Sequence, residues 1–130
     1  MKLLKRLPKE EYDKLIVACD IEIIFLNYRF AIPNFPSRLL NYMQTKLPVL
    51  AVTDSNTDIG KIIVDGGFGW WCESCDVEGF KEILKKSSNV RPAVAGRKAS
   101  GCLENYYSTY IAYRIIHHLL EKTYEENEKK

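Results

Sequence analysis

Residues 32–63 read "IPNFPSRLLNYMQTKLPVLAVTDSNTDIGKII", and the order of signals along this stretch decides the fold. After Pro36, the apolar residues Leu39, Leu40, Met43 and Leu47 recur on one face at helical spacing, which predicts a helix over 35–46. Pro48 stops that helix, because a proline cannot continue it. "VLAVT" (49–53) is then a short, almost wholly apolar run, as expected of a strand covered on both faces of a parallel sheet. Polar "DSNTD" (54–58) offers helix caps at Asp54 and Asp58, and "IGKIIVDGG" runs as a helix to Gly66 and Gly67.

The same alternation continues outward. "MKLLKRL" (1–7) reads as a short strand. Pro8 opens a helix through Cys19, with Glu10 and Glu11 in the first turn, where the helix dipole favours acids. "IEIIFLN" (21–27) is a second buried strand and "FGWWCE" (68–73) is a short strand. "DVEGFKEILKK" (76–86), "VRPAVAGRKASGCLENYY" (90–107) and "TYIAYRIIHHLLEK" (109–122), the last capped by Ser108, read as helices. Repeated strand–helix units with no hairpin signal predict an α/β, Rossmann-like parallel sheet with flanking helices. One domain over 1–122 is expected, with a charged, frayed tail over 123–130. In such sheets ligands sit outside the carboxyl ends of the strands, which singles out the loops after Asn27 and Thr53 and the region of Trp71.

Composition bounds the rest. The chain has 130 residues, 46% hydrophobic and 28% charged, with a formal charge of +2. This charge and the lack of a basic stripe argue against a nucleic-acid partner. No apolar run reaches transmembrane length and no signal peptide is recognisable, so a cytoplasmic location is expected. Cys72 and Cys75 form the only close cysteine pair among four. His117 and His118 are adjacent and diverge on a helix, so no metal site is expected.

"WCESC" (71–75) matches the signature of thioredoxin-like oxidoreductases, whose first cysteine is a thiolate at a helix N-terminus. The strands that would complete that fold do not follow Cys75, so the redox reading stands as an alternative. His117 and His118 are expected at a half-buried helix end. Tyr106, Tyr107, Tyr110 and Tyr113 are expected to pack helices, and Trp70 and Trp71 to pack core and rim.

"PSRLLNYM" (36–43), "KLPVLA" (46–51) and "DIGKII" (58–63) together resemble the donor-binding segment of retaining glycosyltransferases of the two-domain GT-B architecture, the group 1 family. The likeness extends from about residue 4 to residue 120. It implies a Rossmann-like domain that binds a nucleotide sugar as substrate, with no separate cofactor. Carried over by residue, the backbone around Phe35, Pro36, Ser37, Arg38 and Leu39 faces the diphosphate or sugar, Asn41 faces the ribose, and Arg6 and Leu7 lie beside the base. Pro36 is expected at the first helical position, where its missing N–H costs nothing. Phe35 either contacts ligand or staples the helix entry.

Two departures stand out. The family often carries glutamates at the positions of Pro33 and Asn41. An acceptor domain and the first part of the donor domain are absent from the sequence, so the chain is expected to be a fragment, inactive alone and self-associating through a free sheet edge. The Pro-Ser-Arg variant resembles enzymes of bacterial surface-polysaccharide assembly, which would sit peripherally at the inner membrane when complete. A non-catalytic interaction domain is the third reading.

Overall fold

A computed structural model describes residues 6–29, 35–89 and 92–128. Its elements are α1 (Lys9–Val17), β1 (Glu22–Phe25), α2 (Ser37–Gln44), β2 (Val49–Thr53), α3 (Ile59–Asp65), β3 (Gly69–Glu73), α4 (Val77–Ser87), α5 (Pro92–Tyr106) and α6 (Thr109–Glu128). The strands form one parallel sheet in the order β1-β2-β3, with Ile24 opposite Ala51 and Ala51 opposite Trp71. The α/β, Rossmann-like class is the one the chain adopts. Most of the strand expected over 1–7 lies outside the described residues, and Arg6 and Leu7 belong to no helix or strand.

Every residue of β2 is buried, which its unbroken apolar run requires. Val49 and Ala51 face one layer, where Leu39, Met43, Ile59, Ile63, Phe68 and Ala99 close the main core. Leu50 and Val52 face the other, where Cys72, Trp70, Phe80 and Ile83 gather under α4. Each large apolar side chain taken out of water contributes about 1.5–3 kcal/mol. Tertiary burial of this kind, rather than intrinsic propensity, holds helices as short as α2 and α3.

Two elements differ from expectation. β1 was expected to be covered on both faces, but only Ile24 is buried. Ile23 and Phe25 point to the α4 side and remain 40% and 62% exposed, because α4 packs chiefly over β3 and reaches β1 through Phe80, whose ring lies 5.7 Å from that of Phe25. No strand among the described residues pairs with the outer edge of β1. The last helix continues past Lys122 to Glu128 and keeps its apolar rows in water: Ile115, Ile116, Leu119 and Leu120 are all more than half exposed.

His117 and His118 are exposed on that helix rather than half-buried, with His117 Nδ1 3.4 Å from Glu121. Of the four tyrosines expected to pack helices, Tyr106, Tyr110 and Tyr113 are exposed, and only Tyr107 joins the core. Ser108 does cap α6, its hydroxyl accepting the Ile111 N–H at 3.3 Å.

Candidate functional site

The carboxyl ends of the three strands are tied into one rim. The Leu26 N–H donates to Val52 O at 2.9 Å, and the Ser74 N–H to Thr53 O at 2.8 Å. The Ser74 hydroxyl crosses to Leu26 O at 2.7 Å. Behind the rim, the Trp71 Nε1–H donates to Thr53 Oγ1 at 2.9 Å, and the Thr57 hydroxyl lies 3.3 Å from that same oxygen. Trp71 therefore sits inside β3 as packing, and Ser74 to Asp76 form the turn that follows the strand. The indole fits only because residue 60 is glycine: a Cβ there would come within 2.5 Å of Trp71 Cδ1.

The caps expected in the β2–α3 loop are rearranged. Asp58 makes no side-chain cap. Asp54 instead folds onto its own turn, Oδ1 accepting the Asn56 N–H at 2.8 Å. Its carboxylate is buried, and Oδ2 has no hydrogen-bond partner among the described residues. The sequence signal for this buried acid was its place directly after the central strand, where a cap was the simpler reading.

Because β1 and β2 are parallel, α2 must run back between them, so its N-terminus opens at the carboxyl-end side of the sheet. Here Pro36 is the N-cap, with φ −64° and ψ 120°, and Ser37 is the first helical residue. Pro36 thus stands one position earlier than expected, because its extended ψ keeps it outside the helix. Its carbonyl accepts the Leu39 N–H at 2.9 Å, and Pro36 itself has no N–H. Within the expected anion-facing stretch, the N–H groups of Ser37 and Arg38 remain as first-turn donors without an intrahelical partner.

Ser37, Arg38 and Asn41 are exposed on the polar face of α2, while Leu39 is fully buried and holds the helix by its side chain. Asn41 offers its amide to solvent and its carbonyl to Thr45. Phe35 is 40% exposed, and its ring lies 5.5 Å from the ring of Tyr107 at the end of α5. Arg6 is exposed before α1, and no ion pair among the described residues joins it to α2. Pro33 lies outside the described residues. A cleft of about 330 Å³ opens at the ends of β1 and β3, lined by Phe25, Asn27, Tyr28, Ser74, Val77 and Phe80.

The redox alternative does not survive this geometry. Cys72 is buried within β3 rather than at a helix start, and burial, with Asp76 nearby, pushes its thiol pKa up. A thioredoxin-like nucleophile needs the opposite shift. Cys75 is exposed in a left-handed turn at φ 82°, and both thiols are free. Iodoacetamide on the folded chain is expected to alkylate Cys75 and spare Cys72, with no reduction of insulin disulfides. Rapid labelling of Cys72 in the folded state would restore the redox reading.

Among the described residues, no group of three or more His, Cys, Asp or Glu side chains is placed to hold a metal ion. None of the described helices is long and apolar enough to cross a membrane.

No protein-family profile and no solved structure matches the chain. It is similar to a protein of Pseudomonas aeruginosa described as "Probable glycosyltransferase WbjE", with 27% identity over 107 residues, 82% of this chain and 27% of that protein. The chain thus spans about a quarter of that relative's length. A similarity over 82% of the chain supports a glycosyltransferase relationship.

Proposed function

We propose that the chain is the nucleotide-sugar-binding half of a retaining GT-B glycosyltransferase acting in bacterial surface-polysaccharide synthesis. The observation that carries this reading is the start of α2. A helix N-terminus bearing exposed Ser37 and Arg38 opens at the ligand side of a parallel sheet, in a chain similar to a glycosyltransferase.

In this reading the Ser37 and Arg38 N–H groups, the Ser37 hydroxyl and the Arg38 guanidinium receive the diphosphate, and Asn41 hydrogen-bonds the ribose. Arg6 and Leu7 flank the base. The charge that develops on the leaving diphosphate is stabilised by the helix dipole and Arg38, so no strong protein nucleophile is required. A further domain supplies the acceptor, and the described chain alone is inactive. The outer edge of β1, which no strand among the described residues covers, lies beside exposed Ile23 and Phe25 and is where the rest of the donor domain would continue the sheet. In isolation the same edge would favour self-association.

The test is an amide NMR titration of the chain with UDP, GDP and their sugar conjugates. Shift changes confined to 35–41 and 6–7 are the expected result, and the stronger ligand identifies the base. A folded spectrum that responds to none of them sinks the donor reading for this chain. A partner-binding role would then gain ground, favoured by the exposed Ile115, Ile116, Leu119 and Leu120 of α6.

A further inference from the structure

We infer that Tyr107 is a positioning residue for the start of α2, acting through the ring of Phe35; the inference rests on the donor-binding reading above. The two rings lie 5.5 Å apart with an interplanar angle of 31°, a geometry in which aromatic pairs attract. Phe35 is joined to Ser37 only through Pro36, whose φ of −64° is fixed by its own ring. The chain between the Phe35 ring and the first helical N–H therefore has little freedom, and fixing the ring fixes the direction of the Ser37 and Arg38 N–H groups.

Tyr107 is itself firmly held. Its N–H donates to Leu103 O at 2.9 Å, and its ring packs against the main core. Burial, with Cys102 and Asp58 beside it, pushes the phenol pKa up, although the side chain is only half-buried. The next residue, Ser108, caps α6, so the position of Tyr107 is set by two helices at once.

The arrangement gains meaning from the other end of α2. There α5 touches again, with Gly96 against the carbonyl of Lys46, just past the last turn. A long helix and the residue directly after it thus bracket a short one at both ends: Gly96 at Lys46 through a backbone contact, and Tyr107 at Phe35 through an aromatic one. The middle of α2 is held independently by Leu39, Tyr42 and Met43, all buried. The core contacts keep the helix folded. The Tyr107–Phe35 contact keeps its first turn aimed, which is what a phosphate site requires.

The experiment compares the wild-type chain with Tyr107→Ala, Tyr107→Leu and Tyr107→Phe. It measures backbone ¹⁵N order parameters without ligand, thermal midpoints, and UDP and GDP affinities by amide shifts. In wild type, Ser37 and Arg38 are expected near the rigid value of about 0.85, and in Tyr107→Ala they should fall towards about 0.6, while Met43 and Gln44 do not change. Nucleotide affinity should weaken roughly three- to ten-fold, the size of one lost aromatic contact. Tyr107→Phe should restore both readouts. Tyr107→Leu, which keeps apolar volume, should behave as Tyr107→Ala and replaces it if the alanine variant does not fold.

Order at Ser37 and Arg38 that is unchanged, or lost evenly along α2, overturns the positioning role in favour of plain packing. If wild type binds neither nucleotide, the donor reading fails. The order parameters then decide the Tyr107 inference by themselves: loss confined to Ser37 and Arg38 supports it, and no loss there overturns it.

Discussion

Gly96→Ala is expected to remove much of the chain's stability, while Gly101→Ala in the same helix raises it. A Cβ at residue 96 would fall 1.8 Å from the carbonyl oxygen of Lys46 and 2.6 Å from its carbon. Both are backbone atoms, so no rotamer change relieves the clash. Lys46 cannot easily retreat either. It sits at φ 59°, in the left-handed region, between the Lys46 N–H bond to Met43 O and the Leu47 N–H bond to Tyr42 O, with Pro48 leading into β2.

Accommodating the methyl group therefore means separating α5 from α2. Overpacking of this kind typically costs about 1–3 kcal/mol and sometimes more, and a backbone-on-backbone contact belongs at the upper end. Alanine's helix propensity returns at most about 1 kcal/mol. The net loss of about 2–3 kcal/mol is a large fraction of the roughly 5–15 kcal/mol that holds a domain together. Gly101 meets nothing within 4 Å, so alanine there keeps only the propensity gain of about 0.5–1 kcal/mol. Urea midpoints of the two variants should move in opposite directions. Movement in the same direction would show that α5 does not pack on α2 as described.

The contrast between those two glycines shows what the sequence could carry. Read locally, Gly96 and Gly101 are the same signal, a residue that weakens a helix. What separates them is the left-handed Lys46, far away in the chain, and no local pattern encodes that meeting. Elements whose cause is local were legible. The run "VLAVT" between Pro48 and Asp54 is β2 to the residue, and Ser108 caps α6 as its type and place suggest.

The apolar rows of α6 were equally plain as a pattern. Amphipathicity reports only that a face can be buried, though, and says nothing of whether a partner is present, so Ile115 and Leu119 are found in water. At the site, α2 and its polar start were visible from spacing and capping. The Tyr107–Phe35 contact and the buried acid Asp54 were not, because both depend on which elements the fold brings together.

Arg38→Ala should weaken nucleoside-diphosphate binding by about ten- to a hundred-fold, since hydrogen bonds to a charged group contribute about 1.5–3 kcal/mol. Two facts make this residue the sharpest probe of the proposed site. Its side chain is exposed, and no ion pair among the described residues occupies it. The substitution should therefore move the unfolding midpoint by no more than about 0.5 kcal/mol, as at other surface positions. Any loss of affinity then belongs to the ligand contact rather than to the fold.

Arg38→Lys separates two contributions. Lysine keeps the charge but not the planar fork that meets two phosphate oxygens at once, so it should recover only part of the binding. Salt supplies a second discriminator. Binding carried by Arg38 at an exposed site weakens as ionic strength rises, and that dependence should flatten in Arg38→Ala. If UDP and GDP bind the wild-type chain while Arg38→Ala binds them equally well at every salt concentration, the diphosphate does not lie at the start of α2. The rim formed by Ser74, Asn27 and Asp54 at the strand ends would then be the next place to look.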